Sequence, residues 1–242
     1  MIVLAGTSGF AFKEWRGAFY PVDLPDEGQL RYYASQFPTV EINNTFYRLP
    51  KEHVLAGWAA QVPEGFVFAI KASQRITHFG RLKPESKGAL DFLLQSTSVL
   101  GPKLGPILFQ CPANLRKDAD RLASFLDYLP KDRRFVFEFR DASWFDGETF
   151  ALLRAHDVAL CAIDQEDFAS PVARTAAWGY LRLHRLDYSD ADLKRWVETI
   201  AAQGWRDAYV YFKHDEAEEA VSRGGGMSGP TAVRRFCARA EP

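Results

Sequence analysis

Several short runs of strand-forming residues end on side chains that can move protons or hold charge. "TVEIN" carries Glu41 and Asn43, "FVFAIKA" carries Lys71, and "GPILFQ" ends on Gln110. "RFVFEFR" carries Glu138 and Arg140, "VALCAID" ends on Asp164, and "WGYLRLH" carries Arg182 and His184. "DAYVYFK" ends on Lys213. Two glutamates, a histidine and several cations are the groups that general acid–base chemistry on a polar molecule requires. Glu41 or Glu138 would be the base and His184 or the other glutamate the acid. Lys71, Arg140 and Arg182 would hold negative charge that is present or develops.

Such residues act together only if the fold brings the strand ends to one place. With "IVLAGT" from Ile2, the chain has eight strand-like runs of branched and aromatic residues. Most gaps between them carry apolar residues at helical spacing. Leu30, Tyr33, Ala34 and Phe37 form one stripe, and Val54, Trp58 and Val62 another. Leu122, Phe125, Leu126 and Leu129 form a third, and Leu193, Trp196, Val197 and Ile200 a fourth, with Ser189 as its N-cap. Between strands six and seven, "QEDFASPVARTAA" is short and broken by Pro171, so the helix there is expected to be reduced.

Strands alternating with helices imply parallel pairing, and eight such units in 242 residues match an α/β (β/α)8 TIM-barrel-like fold. A doubly wound open sheet is the alternative, but "GTSGF" lacks the GxGxxG turn that fold often shows. No linker or repeat divides the chain, so residues 1–242 are expected to form one domain.

In a parallel barrel one strand face meets helices and must be apolar, so alternation assigns the other face to the lumen. Phe135, Phe137 and Phe139 go outward, sending Val136, Glu138 and Arg140 inward. Phe66, Phe68 and Ile70 leave Lys71 inward, and Leu181 and Leu183 leave Tyr180, Arg182 and His184 inward. Val40 and Ile42 place Glu41 and Asn43 inward, and the same logic puts Gln110, Asp164 and Lys213 there. All lie toward the carboxyl ends of their strands, where (β/α)8 enzymes carry their sites. Asn43, Tyr47, Gln110, Arg140, Trp144, Asp164, Arg182 and Lys213 are the candidates for substrate contact, Tyr47 and Trp144 as stacking walls just beyond their strands. The competing reading is an ion-pair network that plugs the barrel mouth and binds nothing.

Other chemistries are weaker. Glu41, Glu138, Asp164 and His184 offer oxygen and nitrogen ligands for a divalent metal, as in metal-dependent sugar isomerases, but interleaved cations oppose a dication. No cofactor is expected. Lys71 could form a Schiff base, although a salt-bridged lysine is the simpler reading. Cys111 has no paired histidine, and none of the three cysteines shows CxxC spacing. "SRGGGMSGP" at 222–230 precedes the closing helix. Arg223 and the amides near Ser228 and Gly229 could bind an anion there, or the stretch is only a flexible loop.

The charge balance, 30 basic against 31 acidic residues, disfavours non-specific nucleic-acid binding. "MIVLAG" is too short for a signal sequence and no segment could span a bilayer, so a reducing cytoplasm and no membrane are expected. The expected partner is a small polar or anionic molecule.

Six motifs in order, "GTSGFAFKEWRGAFYP" (6–21), "FPTVEINNTFYRLP" (37–50), "FAIKASQRITH" (68–78), "LGPILFQCP" (104–112), "FEFRDASWF" (137–145) and "YLRLHRLDY" (180–188), resemble the YecE-like family, domain of unknown function 72. The resemblance runs to about residue 215. It implies a (β/α)8-type barrel and no established activity. The family motifs fall on Glu41, Asn43, Thr45, Phe46, Tyr47, Lys71, His78, Gln110, Glu138, Arg140, Trp144, Arg182 and His184. The chain departs from the commoner form after strand eight, where Lys213-His214-Asp215 replaces Asn-Asn-Asp.

Overall fold

The computed structural model describes residues 1–213 and 229–240. Eight parallel strands form a nearly closed barrel: β1 (Ile2–Thr7), β2 (Thr39–Ile42), β3 (Val67–Lys71), β4 (Leu104–Gln110), β5 (Phe135–Glu138), β6 (Ala159–Gln165), β8 (Gly179–Leu183) and β9 (Asp207–Phe212). A two-residue β7 (Phe168–Ala169) turns back antiparallel on β6. It occupies the connection in which a reduced helix was expected. There the loop hydroxyls do the satisfying: Ile163 N–H donates to Ser170 Oγ and Leu160 N–H to Thr175 Oγ1.

Helices α1 (Gln29–Gln36), α2 (Glu52–Gln61), α3 (Lys87–Thr97), α4 (Ala119–Leu126), α5 (Gly147–Ala155) and α6 (Asp190–Ala202) flank the strands, with a closing helix at Gly229–Ala240. α1 and α4 bury the stripes their spacing dictates, whereas α2 buries Leu55 and leaves Val54 and Trp58 half-buried. Leu30, Tyr33 and Ala34 of α1 and Leu122, Phe125 and Leu126 of α4 are buried. Ser189 caps α6 reciprocally with Asp192, as its position before that stripe requires.

Strand alternation sorts the core into two bodies. Val40, Ile42, Phe68, Ile70, Phe135, Phe137, Leu181 and Leu183 join the layer between strands and helices. Ala69, Leu108, Val136, Cys161, Tyr180, Tyr209 and Tyr211 fill the lumen. At the amino end of the lumen, Arg134 donates to Tyr209 Oη at 2.9 Å and pairs with Asp207 at 2.5 Å. These contacts tie β5 to β9 at the amino end of the lumen.

The seam between β1 and β2 is the weak point of closure, joined by one backbone bridge between Ser8 and Glu41. Tyr33 of α1 reaches into it: its hydroxyl accepts from Thr7 N–H at 2.8 Å and donates to Thr39 O at 3.0 Å. One phenol thus replaces a missing strand-to-strand bond. Gly6 makes room for it, since a Cβ there would sit 2.0 Å from Thr39 O. Tyr33→Phe should leave both buried backbone groups unsatisfied and cost about 1–3 kcal/mol, measurable by denaturant unfolding. A variant as stable as the parent would show that the seam holds without the phenol.

Candidate functional site

Glu41, Glu138 and Arg182 form the floor of the barrel mouth, and the two carboxylates are entirely buried. β2, β5 and β8 deliver them from three sides. Arg182 bridges them: Nη1 lies 2.5 Å from Glu138 Oε2, and Nε lies 3.1 Å from Glu41 Oε2. Glu138 also accepts from Gln110 Nε2 at 2.8 Å and from Arg140 Nε. Burial raises the Glu138 pKa, but Arg182 and Arg140 more than reverse this and hold it at about 2. Glu138 is therefore a fixed anion, with Arg182 and Arg140 as its counter-ions.

Glu41 is engaged on both oxygens. Besides Arg182 it accepts from Tyr180 Oη at 2.6 Å, Asn43 Nδ2 at 3.0 Å and Ser8 Oγ at 2.7 Å. Ser8 Oγ lies 3.0 Å from His184 Nε2. With the Ser8 hydrogen given to Glu41, the facing Nε2 of a neutral His184 donates to Oγ. His184 is kept neutral near pH 7 by burial first and then by the surrounding cations Arg182, Arg140, Lys213 and Lys71. The result is a relay, His184 to Ser8 to Glu41, that can carry a proton from the mouth to a dry carboxylate.

Above the floor lies a cavity of about 580 Å³, lined by Ser8, Asn43, Lys71, Arg182, His184 and Lys213 on its polar side. Phe10, Phe12, Trp58 and Tyr47 supply an aromatic wall. Tyr47 is 75% exposed at the rim of the cavity. Asn43 Oδ1 is buried without a hydrogen-bond donor among the described residues and can accept one from a guest. Lys71 Nζ sits 4.3 Å from the centre of the Phe46 ring. Among the described residues it makes no ion pair and no hydrogen bond. Burial, and after it Arg182, draws its pKa from the ordinary 10.5 to about 8.

Two expected positions are corrected. Asp164 faces the helices, accepting from Arg185 Nε at 2.9 Å and Trp196 Nε1 at 3.2 Å. Every residue from Val158 to Ile163 is apolar, so alternation had no polar partner to set its phase. Gln165, in phase with Ala159 and Cys161 of the lumen, takes the inward place and accepts from Arg140 Nη1 at 3.1 Å. Trp144 is no stacking wall. The turn at Ala142–Trp144, capped by Asp141, folds its ring onto Phe139, 4.4 Å between centres and 9° from parallel. Trp144 Nε1 donates to Leu115 O at 2.7 Å, leaving the ring fully buried.

Gln110, Arg140 and Glu138 lie together but outside the cavity lining, behind Arg182. Arg182 between the glutamates and Asp164 on the far face also dismantle the four-ligand metal set. Among the described residues no three His, Cys, Asp or Glu side chains cluster in a metal-holding way. Arg223 and Ser228 lie outside the described residues, as does most of the 222–230 stretch; Gly229 opens the closing helix. Cys111 is fully buried, and burial pushes its thiol pKa up, away from nucleophilic use. Ser8 and Gln165 are site residues that the sequence reading missed. Ser8 is two steps in phase from Gly6 and four from Leu4, which packs on the lumen cluster, so the same alternation could have found it.

A family model described as "Protein of unknown function DUF72" matches residues 4–228. The chain belongs to the DUF72 family. This DUF72 chain is 24% identical over 215 residues to UPF0759 protein YunF of Bacillus subtilis, covering 83% of this chain and 76% of the relative. It is 33% identical over 117 residues to UPF0759 protein YecE of Escherichia coli, covering 48% of this chain and 43% of the relative. A crystal structure of a DUF72 family protein from Thermotoga maritima superposes with TM-score 0.82 at 23% identity, covering 100% of both chains. One from Enterococcus faecalis gives 0.74 at 17% identity over 98% of each. These likenesses carry the fold. Among the described residues no helix is long and apolar enough to cross a membrane.

Proposed function

We propose that this DUF72 protein is an enzyme that uses acid–base chemistry on a small anionic molecule with a flat or apolar part, of the sugar phosphate or nucleotide-fragment class. The observation that carries this reading is Lys71, an ammonium on the wall of a 580 Å³ cavity with no counter-ion among the described residues. A half-buried cation without a partner among the described residues is held at a cost in desolvation, and an anionic guest would supply the missing charge. Counting the paired floor, Glu41 and Glu138 face Arg182, Arg140 and Lys71, so among the described residues the mouth is left cationic. The aromatic wall suits a ring, and Asn43 Oδ1 suits a hydroxyl or N–H. Proton transfer falls to the His184–Ser8–Glu41 relay, with Lys71 as a second group that can give or take a proton near neutrality.

The non-catalytic scaffold reading accounts for Glu41, Glu138, Arg182 and Arg140, which satisfy one another. It does not account for Lys71. A thermal-shift panel separates the two. Sugar phosphates and nucleoside monophosphates should raise the melting temperature, by several degrees at about 100 times Kd. Their uncharged parents should do much less, and Lys71→Met should abolish the difference. Equal shifts in parent and variant, or none from any anion, would count against a ligand site at Lys71.

A further inference from the structure

We infer that Lys71 is an amine nucleophile that forms a Schiff base with an anionic aldehyde or ketone bound in the cavity at the barrel mouth. The inference rests on the anion-binding reading above and names the chemistry done there. A lysine kept only as a structural cation is normally held by a carboxylate. Here Nζ lies over the Phe46 ring instead, and among the described residues nothing accepts a hydrogen bond from it. Such a nitrogen keeps its lone pair available once the proton leaves. The charged groups around it come from several elements: Arg182 of β8, Glu138 of β5 with Arg140 beyond it, and Glu41 of β2. His78, whose ring meets the Phe46 ring edge-on, and His184 stand close by. Burial first, and then Arg182 and Arg140, bring the amine into the range where a useful fraction is neutral at physiological pH, against the opposing pull of Glu138 and Glu41.

The step balances without any other reagent. Neutral Nζ attacks the carbonyl carbon; the N–C bond forms as the C–O π pair moves to oxygen. That oxygen takes a proton and the nitrogen gives one up, leaving a carbinolamine. A second proton on the hydroxyl lets it depart as water while the nitrogen lone pair closes the C=N bond. Starting from the lysine ammonium, the net change is ammonium plus carbonyl giving protonated imine plus water. The His184–Ser8–Glu41 relay, which opens on the same cavity, is the carrier for these protons.

Pyridoxal 5′-phosphate, an aromatic anionic aldehyde, is the probe, with borohydride reduction and peptide mapping on the wild-type protein. At pH 7.5 the neutral fraction of an amine with pKa near 8 exceeds that of an ordinary lysine by about two hundredfold. Lys71 is therefore expected to be labelled at least about tenfold faster than the exposed Lys131 and Lys194. Its rate should level off above pH 8, and inorganic phosphate should compete. Lys71→Arg, which keeps the charge, should lose the fast-labelled site. Labelling of Lys71 no faster than of Lys131 and Lys194 overturns the inference. If the probe still raises the melting temperature without reduction onto Lys71, the anion site stands and the amine chemistry falls. If it neither stabilises the protein nor labels Lys71, both fall.

Discussion

Glu138→Gln should lower the melting temperature by on the order of 10 °C, the largest loss expected from any single change in the mouth. The carboxylate is completely buried and receives Arg182 Nη1 at 2.5 Å, Gln110 Nε2 at 2.8 Å and Arg140 Nε. Among the described residues, removing its charge leaves Arg140 with no carboxylate partner and Arg182 with Glu41 alone, the latter in a place where water does not compensate. Breaking a buried pair from one side costs about 3–5 kcal/mol. A pH signature accompanies it. Glu138 has a folded pKa of about 2 against the ordinary 4.5. Between those values the unfolded chain takes up a proton that the folded chain refuses, so stability rises with pH across the window. About 3 kcal/mol is in place above pH 4.5 and is lost as pH falls toward 2. Glu138→Gln should flatten that part of the curve, as read by urea unfolding at a series of pH values. A variant with unchanged acid sensitivity would show that the pair contributes nothing net.

Much of this arrangement was legible because a parallel barrel is buried on both strand faces. Phe135, Phe137 and Phe139 can only face helices, and their spacing alone drives Glu138 and Arg140 into the lumen. The same holds for Leu181 and Leu183 around Arg182. Legibility ended where alternation lost contrast. The run from Val158 to Ile163 is apolar at every position, so alternation assigns to Asp164 the inward place that Gln165 takes. It ended again where the chain left its strand, because a turn can send a ring either way; the cap by Asp141 decides Trp144, and that is a matter of backbone angles. The pairing of charges was beyond sequence altogether. Two acids and several bases on different strands can be matched in many ways. Only the register of β2, β5 and β8 shows that Arg182 takes both glutamates and leaves Lys71 without either.

Lys71→Met should move stability the other way, raising the melting temperature at pH 7 by on the order of 5 °C. The lysine is drawn from the ordinary 10.5 to about 8, first by burial and then by Arg182. Below pH 8 the folded protein carries the ammonium in a poorly solvated place, at a cost of up to about 3 kcal/mol relative to an unperturbed lysine. Part of that is returned by the Phe46 ring, 4.3 Å from Nζ, so a net gain of roughly 1–2 kcal/mol is expected on replacement. Methionine fills similar length and makes its own sulfur contact with the ring. The sign with pH follows from the same shift. Between pH 8 and 10.5 the unfolded chain holds a proton that the folded chain has released, so the parent gains stability as pH rises. The advantage of Lys71→Met should therefore shrink through that window and vanish near its upper end. The melting curves at pH 7, 9 and 10 test this, and a variant less stable than the parent at pH 7 would mean that Lys71 is a structural cation after all. One layer of the barrel would then give two opposite responses: the glutamates hold the fold together, while the lysine beside them is kept at the expense of stability, as expected of a group retained for what enters the cavity.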